Sequence, residues 1–172
     1  MRAAVITSGV VSNIIEVETL ATFAGLVDAR SASIGDTYSN GVFARPLPVR
    51  ADVLAEKWTA IKSQRDHRQK VGVKVGADWF HSDADSRTQQ LGMVVAGANL
   101  PAGMQWKTLT RTGSVFVTMT PSLAGSIFQA VMASDSAIFG AAEKHRKALE
   151  ASATPETYNV LIGWPVSFED AT

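Results

Sequence analysis

Between Trp58 and Asp83 runs the stretch that most constrains this chain, WTAIKSQRDHRQKVGVKVGADWFHSD. It begins with the spacing of an amphipathic helix, passes through basic and polar residues, and ends in the alternation of a two-stranded hairpin. Everything before it reads as a small, separate β module. Everything after it reads as material that covers its apolar face.

The chain has 172 residues, enough for one ordinary domain or one domain with a small module. Its hydrophobic fraction of 46% can fill a core. Charged residues are 19% and the formal net charge is zero, which gives no electrostatic footprint for nucleic acid or an anionic membrane. Low charge points instead to surface covered by a partner. With no cysteine, disulfide scaffolds, thiolate metal sites and cysteine nucleophiles are excluded. The opening MRAAVITSGVVSNIIEVE lacks a continuous apolar core and an A-x-A site, so no signal peptide is expected. No window is apolar enough for a membrane span.

In chain order, RAAVIT and VVSNIIEVE read as a hairpin turning at Ser8-Gly9. Strict alternation would put Val11, Asn13, Ile15 and Val17 on one face of the second strand. Residues 19–28 fit either a short helix or a strand around Leu26-Val27. Asn40-Gly41 is the strongest turn signal, flanked by Tyr38 and by Val42-Phe43. Pro46 and Pro48 then break the pattern, and a linker boundary near residue 48 separates a module at 1–47 from a domain at 48–172.

Past the linker, Leu54, Trp58 and Ile61 define a helix face. QRDHRQK reads as solvated or partner-facing. Val71, Val73 and Val75 share one side of a hairpin that turns at Gly76-Ala77-Asp78 and returns through Trp79-Phe80-His81. Ser82 or Asp83 caps a helix to about Ala98, with Leu91, Val94, Val95 and Ala98 as its apolar face. MQWKTLT and VFVTMT form a second hairpin around Gly113. Thr120-Pro121 opens a helix to about Ala151, striped by Leu123, Ile127, Val131, Ser134, Ile138, Ala142, His145 and Leu149. Thr154-Pro155 promises a further short helix, PETYNVLI, before an irregular tail with Trp164 and Phe168 exposed.

Chemistry is thinly signalled. His81, Asp83 and Asp85 are too few for a metal site and fit a strand end followed by a helix N-terminus. His67 reads as a solvated helix end and His145 as a structural histidine. There is no G-x-S-x-G elbow and no phosphate loop. Trp58, Trp79, Phe80, Trp106 and Phe116 read as core, with a sugar-stacking platform as the sharper alternative. No cofactor is expected. An enzyme would have to be built on Asp83, Asp85 and Glu56.

The order of these pieces carries a resemblance. W-x-x-I-K-x-x-R-D (Trp58, Ile61, Lys62, Arg65, Asp66) precedes V-x-V-G (Val73, Val75, Gly76), then W-F-H-S-D and Ser86-Arg87. A helix follows, then Q-W-K-T (Gln105 to Thr108), a Thr-Gly turn, F-V-x-M-T (Phe116 to Thr120) and a long Ala-rich helix. Over about residues 54–151 this resembles a domain of uncharacterised function found at the C-terminal side of phage tail-fibre and tail-fibre-assembly proteins. The first module, with G-V-V-x-N-I-I and I-G-D-T-Y-S-N-G-V-F-A-R-P, is similar to small β modules of phage tail accessory proteins. Those carry Trp where this chain has Asp36.

The expected fold is therefore α+β: a small N-terminal β module, then two β-hairpins packed with three helices. The resemblance implies a non-enzymatic phage protein, made in the bacterial host cytoplasm and located in the virion tail. It would act in host attachment by contact with tail-fibre or baseplate proteins in an oligomeric assembly. An assembly chaperone for the fibre is one alternative, and a carbohydrate-binding module using Trp79 or Trp106 is another. The residues expected to meet a partner are Trp164 and Phe168 in the tail, Tyr38 and Phe43 in the first module, and Arg65 and Arg68 in the polar run.

Overall fold

The structure, a computed structural model, describes residues 1–29 and 31–171. It is a mixed α+β fold in two compact units, Met1–Val49 and Arg50–Thr172.

In the first unit, β1 (Arg2–Thr7) and β2 (Val10–Glu16) form the expected hairpin. Ser8 and Gly9 both take positive φ, the geometry of a two-residue turn whose twist suits antiparallel strands. β3 (Leu26–Asp28), β4 (Thr37–Ser39) and β5 (Val42–Ala44) complete an antiparallel sheet of order β3-β1-β2-β4-β5. Residues 19–28 hold both suggested elements, a single 3-10 turn at Leu20–Thr22 and then β3.

The strict alternation expected of β2 does not hold. Val5 pairs with Asn13 but Ile6 pairs with Val11, so Ser12 is an extra residue in the ladder. That bulge reverses the parity, and Val11 and Ile14 face the core while Asn13 is exposed. The core is small: Ala4, Val11, Ala29 and Ala32, flanked by Ile6, Ile14 and Phe43. Asp36 is buried. Its carboxylate accepts from Ser33 N at 2.8 Å and its carbonyl from Val11 N at 2.8 Å, fixing the loop to β2.

The second unit is built on three helices and two hairpins. The helices are α1 (Arg50–Arg68), α2 (Ala84–Ala96) and α3 (Pro121–Ala151). The hairpins are β6 (Val73–Val75) with β7 (Asp78–Phe80), and β8 (Gln105–Lys107) with β9 (Phe116–Thr118). A bridge from Leu109 N to Trp79 O, 2.7 Å, joins the hairpins edge to edge.

α3 is the spine. Its 31 residues span roughly 46 Å, longer than any neighbour, so two cores lie along it. Near its start, Ala124, Ile127 and Val131 pack with Val73, Phe80, Met93 and Met119. Near its end, Ile138, Ala141, Ala142 and Leu149 pack with Ile61 of α1 and with Trp164. The Thr120-Pro121 start is as read: the Thr120 hydroxyl accepts from Leu123 N, and proline occupies the first turn, where no donor is needed.

Phe116, read as core, is 55% exposed on β9, and three further expectations in this unit are corrected. First, α2 does not bury Leu91 and Val95, which are 47% and 80% exposed. Its inward face carries Gln90, Met93 and Val94, because Arg87 and Gln90 turn inward to polar partners and rotate the helix with them. Second, the helix expected from Pro155 stops after one 3-10 turn, Pro155–Thr157. The Asn159 side chain then accepts from Leu161 N, a local bond that competes with the helical ladder. Third, Trp164 is not exposed. It is 9% accessible, stacks on His145 at 4.9 Å, and donates from Nε1 to Val160 O at 2.8 Å.

Candidate functional site

The residues expected to meet a partner divide by what they already touch. Trp164 is spent in the core, so an exposed anchor there is ruled out. Phe168 is half-buried, edge-on to Trp79 at 5.9 Å, with the Arg111 guanidinium 5.6 Å above its ring. Arg68, read as solvated, donates to Pro165 O and to the Asp170 carboxylate, each at 2.7 Å. That guanidinium, with the Ser167 N–H, holds the Asp170 carboxyl well below its usual range. His67 meets Glu169 at 2.8 Å, and Arg111 donates to the carbonyls of Phe168, Glu169 and Ala171. The polar run thus clasps the chain's own tail. Arg65 is nearer to the original expectation: it pairs with Asp66 and covers the ring of Phe139 at 5.2 Å. In the first unit, Tyr38 and Phe43 pack on each other, centroids 4.8 Å apart, and both stay half-buried.

The motif W-F-H-S-D with Ser86-Arg87 folds into a polar hub. Arg87 grips both oxygens of Asp135 on α3, at 2.6 and 2.9 Å. It also donates to Gln69 O at 2.7 Å and to Ser82 O. Gln69 Nε2 reaches Asp135 at 3.2 Å, and the Ser82 hydroxyl donates to Gln69 O while accepting from Gly72 N. Burial pushes the Asp135 carboxyl up, but the hydrogen bonds from Arg87 and Gln69 outweigh it, so the group stays ionised below its usual range. A fork-on-fork pair of this kind fixes orientation as well as charge. Gly72 belongs to the hub for a steric reason. It has φ of 95°, and a Cβ there would lie 2.5 Å from Leu109 Cδ1.

Asp83 caps α2, accepting from Ser86 N at 3.0 Å and from the Ser86 hydroxyl at 2.7 Å, and the backbone bond foremost lowers its pKa. Asp85 and Glu56 are exposed on separate helices. Among the described residues no group of three His, Asp or Glu side chains is placed to hold a metal. Among the described residues no helix is long and apolar enough to cross a membrane. His145 is buried and donor-linked to Tyr158 at 2.8 Å; desolvation lowers its pKa.

Two further surface features of the second unit bear on function. One is a cleft of about 230 Å³ lined by His81, Ser86, Gln89, Trp106 and Lys107. The Trp106 ring packs against the first core, and its covered Nε1 has no hydrogen-bond partner among the described residues, nor has Gln90 Oε1 beneath α2. The other is a pair of apolar stripes: Leu91 and Val95 on α2, and Met132 and Phe139 on α3, the latter two 59% and 49% exposed. Sequence patterning does not separate these stripes from core faces, because apolar residues spaced i, i+4 (Leu91, Val95) or i, i+7 (Met132, Phe139) look the same whether they face a core or a partner. Ser86-Arg87 carries no local signal of its role, since only the fold brings Asp135 to that arginine.

A family model described as Domain of unknown function (DUF4376) matches residues 52–162, and the chain belongs to that family. The matched segment lies within the second unit and contains the hub, the cleft and both stripes. No curated protein and no solved structure matches the chain.

Proposed function

We propose that this chain is a phage tail-fibre-associated structural protein, a tail-fibre or baseplate component that acts in host attachment by protein–protein contact. The observation that carries the reading is the pair of exposed apolar stripes on α2 and α3 within the family domain. Scattered apolar residues on a surface are ordinary, but two helix-spaced pairs, Leu91 with Val95 on α2 and Met132 with Phe139 on α3, are each apolar surface of the kind that a partner covers. The tail setting comes from the resemblance carried by Trp58 to Thr120. The zero net charge and the commitment of Asp83 and Asp135 to structural bonds fit a role in contact.

The test is co-expression with a tail-fibre protein from the same genome. The fibre co-purifies with the natural chain and is lost with a Leu91→Ser, Val95→Ser, Met132→Ser, Phe139→Ser variant whose circular dichroism is unchanged. Retention of the fibre by that folded variant would remove the stripes from the interface.

A further inference from the structure

We propose that the cleft beside β8 binds a single acidic sugar, a pyranose ring bearing a carboxylate. The proposal gives the carbohydrate-binding reading a place and a ligand, and it rests on that reading rather than on the contact reading above. The cleft measures about 230 Å³, below the roughly 300–1,000 Å³ of pockets for drug-sized ligands, so it suits one ring.

Each lining group answers one property of such a ligand. The half-buried indole of Trp106 offers an apolar, polarisable wall for the C–H face of a pyranose. The Gln89 amide can donate and accept, and the Ser86 hydroxyl, its proton given to Asp83, can accept, as neighbouring sugar hydroxyls require. Lys107 supplies a cation, and His81 adds a ring nitrogen. No carboxylate lines the cleft. Asp83, 4.0 Å from His81 Nδ1, has its oxygens taken by Ser86. Lys107 is thus the cation that lines the cleft, and a ligand carboxylate is the group that pairs with it.

The walls are well supported. Trp106 and Lys107 lie on a paired strand, and α2 is pinned to α3 through Arg87 and Asp135. An acidic peptide side chain would engage Lys107 but leave the indole face and the amide–hydroxyl pair unused. Nucleic acid would call for a basic field that a chain of zero net charge lacks.

The experiment is a titration of the isotope-labelled full chain with methyl glucuronide and, in parallel, methyl glucoside, followed by amide and indole NMR shifts. The expected result is movement at His81, Gln89, Trp106 and Lys107, with a Kd of the order of 1 mM for the glucuronide, typical of so small a ligand. The glucoside binds about tenfold more weakly. Lys107→Ala weakens the glucuronide about tenfold and leaves the glucoside unchanged, whereas Lys107→Arg retains both. Trp106→Ala also removes core contacts, so Gln89→Ala, on an exposed helix position, is the second variant, and it weakens both sugars. Absent shifts, shifts mapping elsewhere, equal affinity for the two sugars, or unchanged glucuronide binding in Lys107→Ala would each overturn the proposal. None of these outcomes touches the contact reading, because the four stripe residues lie outside the cleft.

Discussion

Arg87 joins four pieces of the second unit with one guanidinium: the end of α1, the end of β7, α2 itself and α3. Removing it leaves the Asp135 carboxylate partly buried without its counter-charge. Arg87→Ala is expected to lower stability by about 2–3 kcal/mol in urea unfolding, below the full cost of stranding a deeply buried ion because both side chains keep some solvent. Arg87→Lys keeps the charge but loses the fork, and recovers only part of that loss. Gly72→Ala is expected to cost about 2 kcal/mol, since the added carbon meets the Leu109 side chain and the positive φ is unfavourable for alanine. A Gly72→Ala protein of natural stability would mean that the hairpin junction is looser than its geometry.

The helices show where sequence patterns read true and where they do not. α3 was legible because its stripe repeats over many turns, so Ile127, Val131, Ile138, Ala142, His145 and Leu149 are buried as spaced. Turns at Ser8-Gly9 and Asn40-Gly41 were legible because positive φ is a local demand. α2 was not, because inward-facing Arg87 and Gln90 are invisible to a hydrophobic pattern. β2 was not, because one bulged residue reverses the alternation. The orientation of α2 has a direct check. Met93→Ala should cost about 2–4 kcal/mol, whereas Leu91→Ser and Val95→Ser should each stay within about 0.5 kcal/mol of the natural chain. The opposite ranking would restore the face that periodicity suggested.

At the scale of the whole molecule, charge and burial set the response to pH. His145 has a lowered folded pKa, so the unfolded chain binds more protons as pH drops below about 6.5, and stability falls with it. Asp135 and Asp170 also have lowered folded values, and their contribution is present above about 3.8 and lost as pH falls further. Urea midpoints should therefore decline gently from pH 7 to pH 5 and steeply below pH 4. His145→Gln should flatten only the first part, and an unchanged slope in that variant would assign it to another group.

The candidate site was only partly legible at this scale. The aromatic tail drew attention as a contact surface, yet Trp164 closes the second core and Phe168 packs on Trp79, because docking of a tail is a tertiary event with no local signature. The exposed apolar stripes lie instead on α2 and α3. The proposed tail setting is tested most directly by mass spectrometry of gradient-purified phage particles induced from the strain that carries the gene, with peptide counts scaled to the major tail protein. The account predicts the chain at a fixed copy number per particle. Its absence from particles would contradict a virion component, and recovery only with free fibre protein would make it an assembly factor instead.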